Sequence, residues 1–449
     1  MVSAAEQLAS NINLGSIGQA EDLKKRIWFT LIALVVYRIG TYIPIPMIDP
    51  TALKQIFSQN VGGILGMFDM FAGGALGRMT IFALNIMPYI SASIIMQLLT
   101  VISPQLEALK KDGESGRKKI NQYARYGTVL LATVQGYGVA VGIENMSSDG
   151  MQAVTNPGLY FRFITVATLV SGTLFLMWLG EQVTQRGIGN GISLIIFTGI
   201  VSQLPTALST TFELGRTGAL STLFIIFLLI MSVSVIAFMV FVERAQRRIL
   251  IQYPKRQTGT GGRMSESSHL PLKINTAGVI PPIFASSLLL LPVTFVSFNA
   301  GIDTGSDWLS TLSLYLSRGH PVYLTLYLTM IVFFAFFYTA IVFNPKDTAE
   351  NLKKYSGFIP GIRPGENTAA YLDYVLTRLT VVGASYLAAV CLLPELLISK
   401  YKVPFYFGGT SLLIVVSVTM DTVTQIQSYL LAHQYEGLIK KSNLRNRKR

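Results

Sequence analysis

Cysteine is nearly absent. Cys391 is the single thiol in 449 residues, so no disulfide within the chain, no redox pair and no cysteine-based metal site is available. Histidine is almost as scarce. His269, His320 and His433 all lie in or beside polar segments, which argues against a catalytic histidine buried in a membrane. Charge is short as well: 13% of residues are charged, about half the ~25% of a soluble domain. No phosphate-binding loop is present. Gly187-Ile188-Gly189-Asn190-Gly191 has the wrong spacing for a dinucleotide fingerprint, and the Gly259–Gly262 stretch lacks the lysine of a P-loop. Energy for any work on a substrate must then come from a partner or an ion gradient.

What the chain has is apolar length. Half of it (51%) is hydrophobic, with a mean hydropathy of +0.49. The apolar residues gather in runs of near-bilayer length, and ten spans are predicted: Ile27–Ile43, Thr80–Ile102, Tyr126–Ile143, Phe161–Leu179, Ile192–Leu208, Gly218–Val242, Ala277–Phe298, Val322–Phe343, Tyr374–Pro394 and Thr410–Leu431. The fold class is therefore all-α and polytopic. The first 26 residues are polar and end in Lys24-Lys25-Arg26. The run after them is too long for a cleaved signal peptide and reads as a retained anchor.

Net charge is +13 and the pI about 9.6. Nucleic acid, anionic lipid and topological bias all fit a basic chain, and placement decides between them. With the N-terminus in the cytoplasm, 27 Lys and Arg fall on that side, 6 on the other and 3 (Arg38, Arg162, Arg378) within spans. The positive-inside rule places both termini in the cytoplasm. Five spans precede the midpoint and five follow it. If the halves 27–209 and 210–431 are repeats, an odd count per half makes them inverted. A polar segment 1–26 and a basic tail 432–449 flank them.

One apolar segment is too short to span. Residues 61–77 read VGGILGMFDMFAGGALG. Non-spanning backbone at membrane depth survives only inside protein or lining a water-filled cavity, so a short re-entrant helix on the external side is expected, with an interfacial helix as the alternative. Two cytoplasmic loops are long. Residues 243–276 predict a projecting hairpin with a strand at Ile249–Tyr253 and a Gly-rich tip. Residues 344–367 carry GIRPG at Gly361–Gly365, which sets Arg363 on a stiff turn; an ordinary solvated loop is the alternative.

Ionisable groups within spans mark function by default. Arg38 and Arg162 lie near span ends, where long side chains snorkel, and Arg378 lies near the cytoplasmic end of its span. Asp421 is mid-span with Gln425 one turn away, the single relay candidate. Three classes stay open on these residues: a partner-driven channel, an ion-coupled transporter and an intramembrane enzyme. The last needs a dyad such as Ser/His or paired Asp, and the spans offer one Asp and no His.

Several strings resemble a known family. NIMPYISASIIMQLLT (Asn85 to Thr100), MWLGEQVTQRGIGNGIS (Met177 to Ser193), HLPLKINTAGVIPPIFASS (His269 to Ser287), GIRPGENTA (Gly361 to Ala369) and KVPFYFGGTSLLI (Lys402 to Ile414) occur in order on the predicted spans. They closely resemble the bacterial SecY family across essentially the whole chain. The resemblance implies a channel between two inverted five-helix halves, with an hourglass pore, and a protein that is neither an enzyme nor in need of a cofactor. It implies a pore ring of Ile86, Ile90, Ile192, Ile196, Ile283 and Ile414. It implies a plug that includes Gly62, Gly63, Gly66, Met67, Phe68, Phe71, Gly73 and Gly74. Gln97 and Asn275 match polar positions of a lateral gate, and Lys255, Arg256 and Arg363 match the docking surface for the ribosome and the SecA motor ATPase. Further implied partners are the SecE and SecG subunits, signal-bearing polypeptides, anionic lipids and a second copy of the chain. Asn85 and Pro282 depart from the usual pattern, and the hairpin tip at Gly259–Ser268 matches the family poorly.

Overall fold

A computed structural model describes residues 20–49, 52–53, 69, 72–144, 147–148, 151–218, 221–253, 267–299, 315, 320–401 and 409–446. Every predicted span has a helix: α1 (Glu21–Gly40), α2 (Met87–Ile102), α4 (Glu114–Glu144), α5 (Leu159–Arg186), α6 (Gly191–Arg216), α7 (Thr222–Arg244), α8 (Ile280–Asn299), α9 (Pro321–Val342), α11 (Glu366–Tyr401) and α12 (Gly409–Asn446). Two shorter helices lie between them, α3 (Pro104–Lys111) and α10 (Pro345–Lys354). Seven of the described helices are long and apolar enough to cross a bilayer, and α2 with α3, bent by 100°, makes a broken eighth. The protein is a multi-pass helical membrane protein. In α1, Lys24, Lys25, Arg26 and Arg38 dilute the apolar content.

The apolar belt is on the outside. Trp28, Leu31, Ile32, Val35 and Ile39 of α1 and Leu223, Phe227, Ile230, Val233 and Phe241 of α7 are exposed. Only 22% of the most apolar stretch of α7 is buried. Exposed apolar faces of this kind on each helix suit contact with lipid. Several buried hydroxyls on the spans are satisfied within their own helix. Thr128, Thr173, Thr339 and Thr380 are buried, and each donates to the carbonyl one turn back at 2.8–3.0 Å.

The chain divides into two compact units: the described residues of 1–208, 290–313 and 418–449, and those of 209–289 and 314–417. In the first unit α4 packs against both α2 and α5. Arg162 was expected to snorkel. Instead its Nε donates to Glu144 at 2.6 Å, which ties the start of α5 to the end of α4. Arg125 makes a bidentate pair with Glu181 at 2.7–2.8 Å at the opposite ends of the same helices. This pair is partly exposed, so it contributes under about 1 kcal/mol and mainly sets register. The α5–α6 connection is buried against α1 and α12. Ile188 N–H donates to Thr30 Oγ1 at 3.1 Å, and Gly189 N–H donates to Gln425 Oε1 at 2.8 Å. Ala20, Leu23, Ile188 and Leu430 close a small apolar core around it.

In the second unit the predicted hairpin is present. β1 (Gln246–Gln252) pairs antiparallel with β2 (Ser267–Lys273), from Gln246 opposite Lys273 to Gln252 opposite Ser267. The tip lies outside the described residues. The loop after α9 is not simply solvated. It forms α10, and Phe358 then bridges Gln252. Ile249, Leu272, Ile359, Leu372 and Val375 make a buried cluster, so hairpin, loop and the start of α11 are one packed platform. Pro281 and Pro282 sit in the first turn of α8. There the missing N–H has no intrahelical acceptor to lose, so the extra proline starts the helix rather than bending it.

Close approach of backbones fixes the first unit. A Cβ on Gly191 would lie 2.0 Å from the Gly180 carbonyl, whereas one on Gly127 would meet only Ala92 Cβ at 3.4 Å. Gly191→Ala is expected to lower stability by about 1–3 kcal/mol through overpacking, and Gly127→Ala to leave it level or slightly raised, as Ala favours helix. Thermal unfolding of the two variants in detergent checks the ordering.

Candidate functional site

The stretch between α1 and α2 departs most from expectation. The span predicted over Thr80–Ile102 is helical only from Met87; residues 81–86 are turns. Residues 72–90 are nevertheless almost wholly buried. Irregular backbone in that setting must find partners inside the protein, and it does. Ile45 N–H donates to Met79 O at 2.9 Å, Ile81 N–H to Ile43 O at 3.1 Å and Thr80 N–H to Ala75 O at 3.0 Å. The residues after α1, expected to continue its span to Ile43, are drawn off to make these bonds, and α1 ends at Gly40. Gly40 and Gly172 let the stretch come close: a Cβ on either would strike Phe82 or the Ile81 carbonyl at 2.0 Å.

Of the residues expected in a plug, Gly62, Gly63, Gly66, Met67, Phe68 and Phe71 lie outside the described residues. Gly73 and Gly74 are described and buried. Both are left-handed, with φ of +66° and +80°, a conformation that costs glycine little. Gly73 sits on α6, where an added Cβ would lie 3.0 Å from Gly199 Cα and from Ser202 Oγ. Nearby, Asp69 Oδ1 accepts the Gly77 N–H at 2.6 Å. Burial raises the Asp69 carboxyl above its ordinary pKa, against the lowering effects of the Gly77 bond and of Arg78.

Arg38 was also expected to snorkel. It turns inward instead: Nη1 donates to Gly73 O at 3.2 Å and Nη2 to Tyr42 Oη at 3.2 Å. Arg78 reaches the same carbonyl, Nη2 to Gly73 O at 3.1 Å. Arg78 is one of the six Lys and Arg that charge placement assigns to the external side, with Lys54, Arg216, Arg318, Lys400 and Lys402. No spacing joins positions 38, 73 and 78; the turn at Gly73 does.

The isoleucines expected in a pore ring can be placed singly. Ile86 is fully buried as the residue that caps α2, and its carbonyl accepts the Ile90 N–H at 3.1 Å. The two therefore keep the one-turn spacing read from the sequence, although Ile86 stands just before the helix. Ile192 and Ile196 lie one turn apart at the start of α6. Ile196 is buried, and Ile192 is half-buried against Gly180. In the second unit Ile414 is buried and Ile283 half-buried. These side chains offer neither charge nor hydrogen bonds.

Asn85 proves to be a conformational choice. Its φ is +50°, and among non-glycine residues Asn tolerates this region best. Gln97 is half-buried on α2, and its Oε1 has no hydrogen-bond partner among the described residues. Asn275 is buried; its Nδ2 donates to Glu243 Oε1 at 2.7 Å and Gly278 O at 3.0 Å, joining the end of α7 to the start of α8. Arg363 is exposed on the platform between two left-handed glycines, Gly361 and Gly365, and its carbonyl accepts from Thr368 Oγ1 at 3.0 Å. Lys255 and Arg256 lie outside the described residues. Arg378 is exposed and stacks on Tyr374 at 4.2 Å. Asp421 is exposed on α12, and Gln425 is engaged with the Gly189 N–H, so the two do not form a buried relay. Among the described residues no cluster of His, Cys, Asp and Glu is suited to a metal.

Asn85→Ala is expected to destabilise by about 1–2 kcal/mol, the cost of a Cβ in the left-handed region without the Asn side chain's local bonding. Asn85→Gly should cost less. Denaturant or thermal unfolding compares them.

Comparison with known proteins places this geometry. The SecY family model matches residues 80–423. The chain is 57% identical to the protein translocase subunit SecY of Rickettsia typhi over 427 residues, 95% of this chain and 98% of the relative. It is 56% identical to that of Escherichia coli K12 over 429 residues, 95% and 96% respectively. Among solved structures, one described as a protein conducting channel superposes with a TM-score of 0.67 at 19% identity, covering 91% of this chain and 92% of that one. Sec61 in the canine ribosome-channel complex gives 0.63 at 18%, with the same coverage. A family model matched over three quarters of the length, with relatives more than half identical from end to end, shows that the chain belongs to the SecY family.

Proposed function

We propose that the chain is the protein-conducting channel of the general secretory pathway. It passes unfolded secretory polypeptides across the plasma (inner) membrane and releases transmembrane segments sideways into lipid. The name carried by its relatives, protein translocase subunit SecY, supports this reading. The observation that carries it is the pair of isoleucine steps, Ile86/Ile90 and Ile192/Ile196, at the starts of α2 and α6. With Ile283 and Ile414 they would form a ring without charge or hydrogen-bonding groups. Such a constriction disfavours a continuous water file, yet gives a sliding peptide nothing to stick to.

Lateral release is partitioning. A segment of roughly 20 apolar residues gains free energy by entering lipid, and a polar one does not. Gln97 and Asn275 are the polar positions assigned to that gate. The Gly-rich segment 61–77 is assigned as the plug. The exposed Arg363, held on a packed platform, suits docking of a cytoplasmic partner, and Lys255 and Arg256, from the other long loop, are assigned to the same docking role. The partners are the SecA motor ATPase, the ribosome, signal-bearing polypeptides, the SecE and SecG subunits, anionic lipids and a second copy of the chain. Both termini are cytoplasmic on the evidence of the Lys and Arg asymmetry. An ion-coupled transporter is disfavoured, because Asp421, its relay candidate, is exposed and apart from any buried charge pair.

The test uses the single native thiol. With Cys391→Ser as background, one cysteine each at Ile86, Ile192, Ile283 and Ile414 is expected to crosslink to a secretory protein stalled in transit, with none from lipid-facing Ile230. Absence of crosslinks at all four, in inserted and partner-competent protein, would remove the pore assignment. Reversing the exposed charge with Arg363→Glu should lower motor-driven export at least about tenfold while leaving the unfolding temperature unchanged. Normal ATP-dependent export by purified Arg363→Glu protein would refute the docking role.

A further inference from the structure

Two guanidinium groups on one backbone carbonyl is an arrangement that the constriction does not obviously need. Arg38 comes from the last turn of α1 and Arg78 from the irregular stretch itself, and both donate to Gly73 O, at 3.2 and 3.1 Å. Arg38 spends its other bonds nearby, on Thr41 Oγ1 at 3.4 Å and Tyr42 Oη at 3.2 Å. The two cations share the Tyr42 ring, with guanidinium carbons 5.2 and 4.3 Å from its centroid, a contact worth more as water is removed. Like charges so close need a counter-charge. Asp69 is near enough to feel Arg78, and it is tied to the same turn through the Gly77 N–H and through its own carbonyl, which accepts the Gly74 N–H at 2.8 Å.

The clasped carbonyl is also a seat. Gly73 rests on Gly199 and Ser202 of α6, and Gly74 on Gln203. From there the backbone runs buried through the Thr80–Pro44 bridge to Ile86, whose carbonyl opens α2. α6 carries Ile192 and Ile196 at its start. The clasp thus joins α1, the irregular stretch and α6, the elements that position four of the six ring isoleucines. A hydrogen bond to a charged group contributes more than a neutral one, and two on one acceptor hold it against motion from either side.

We propose that Arg38 and Arg78 are positioning residues: together they clasp Gly73, hold residues 72–86 on α6, and so set the resting position of Ile86 and Ile90 and the tightness of the resting seal. This rests on the channel reading above. Because both bonds end on one oxygen, removing either frees it from one side, and removing the second adds little.

The test is the resting ion conductance of the purified complex in vesicles, without motor or substrate, for R38Q, R78Q and the double variant. Ile86→Asp serves as the pore control and R162Q as an ion-paired arginine away from the clasp. Each clasp variant is expected to raise conductance about tenfold, matching loss of one charge-assisted bond. The double variant should exceed the larger single by much less than the product of the two, the non-additivity of coupled groups. R162Q should leave conductance level, and Arg38→Lys, which cannot span Gly73 and Tyr42 together, should behave as R38Q. Unchanged conductance in R38Q and R78Q beside a leaky Ile86→Asp overturns the clasp and leaves the pore standing, even if their unfolding temperature falls. Independent, multiplicative effects overturn the shared-acceptor account. A tight seal in every variant, Ile86→Asp included, overturns the channel reading and the clasp with it.

Discussion

Backbone at membrane depth has no water to bond with, and everything distinctive about the first unit follows from that constraint. Helices meet it within themselves. The stretch from Ala72 to Ile86 is not helical, so it has to be surrounded. Bonds to residues 43–45, the Asp69 carboxylate and the two guanidinium groups on Gly73 are how the chain surrounds it. The glycines at 40 and 172 are where neighbouring elements yield space to it.

The same constraint explains why Arg38 turns inward and Arg162 pairs. Arg38 and Arg162 carry long stems that can reach water from a span end, and snorkelling is the economical expectation for each alone. An unpaired buried carbonyl or carboxylate within reach changes the balance, since a charge-assisted bond is stronger than a neutral one. Arg38 found a carbonyl and Arg162 found Glu144. Neither partner is close in sequence, so neither bond could be read from spacing.

The second unit solves a different problem: its hairpin and loop carry polar side chains and the exposed Arg363. A two-stranded hairpin alone is marginal. Here it is braced by Ile359, Leu372 and Val375 and by the bridge between Gln252 and Phe358. Arg363 is therefore an exposed charge on a fixed support rather than on a loose loop. For a docking group this limits the entropy lost on binding.

Hydropathy and turn signals by themselves determined the helical class, the approximate place of the helices and the hairpin. These depend on local composition and on one solvent boundary, so a linear reading suffices. Long motifs likewise made the family legible. Only the tertiary structure decided that α2 begins at Met87 with Asn85 left-handed before it, that Asp421 is exposed while Gln425 caps the α5–α6 turn, and that Arg38 and Arg78 meet on Gly73. Each of these depends on groups far apart in the chain competing for the same hydrogen bond or the same space. Such competition is settled by packing in three dimensions and leaves no period in the sequence.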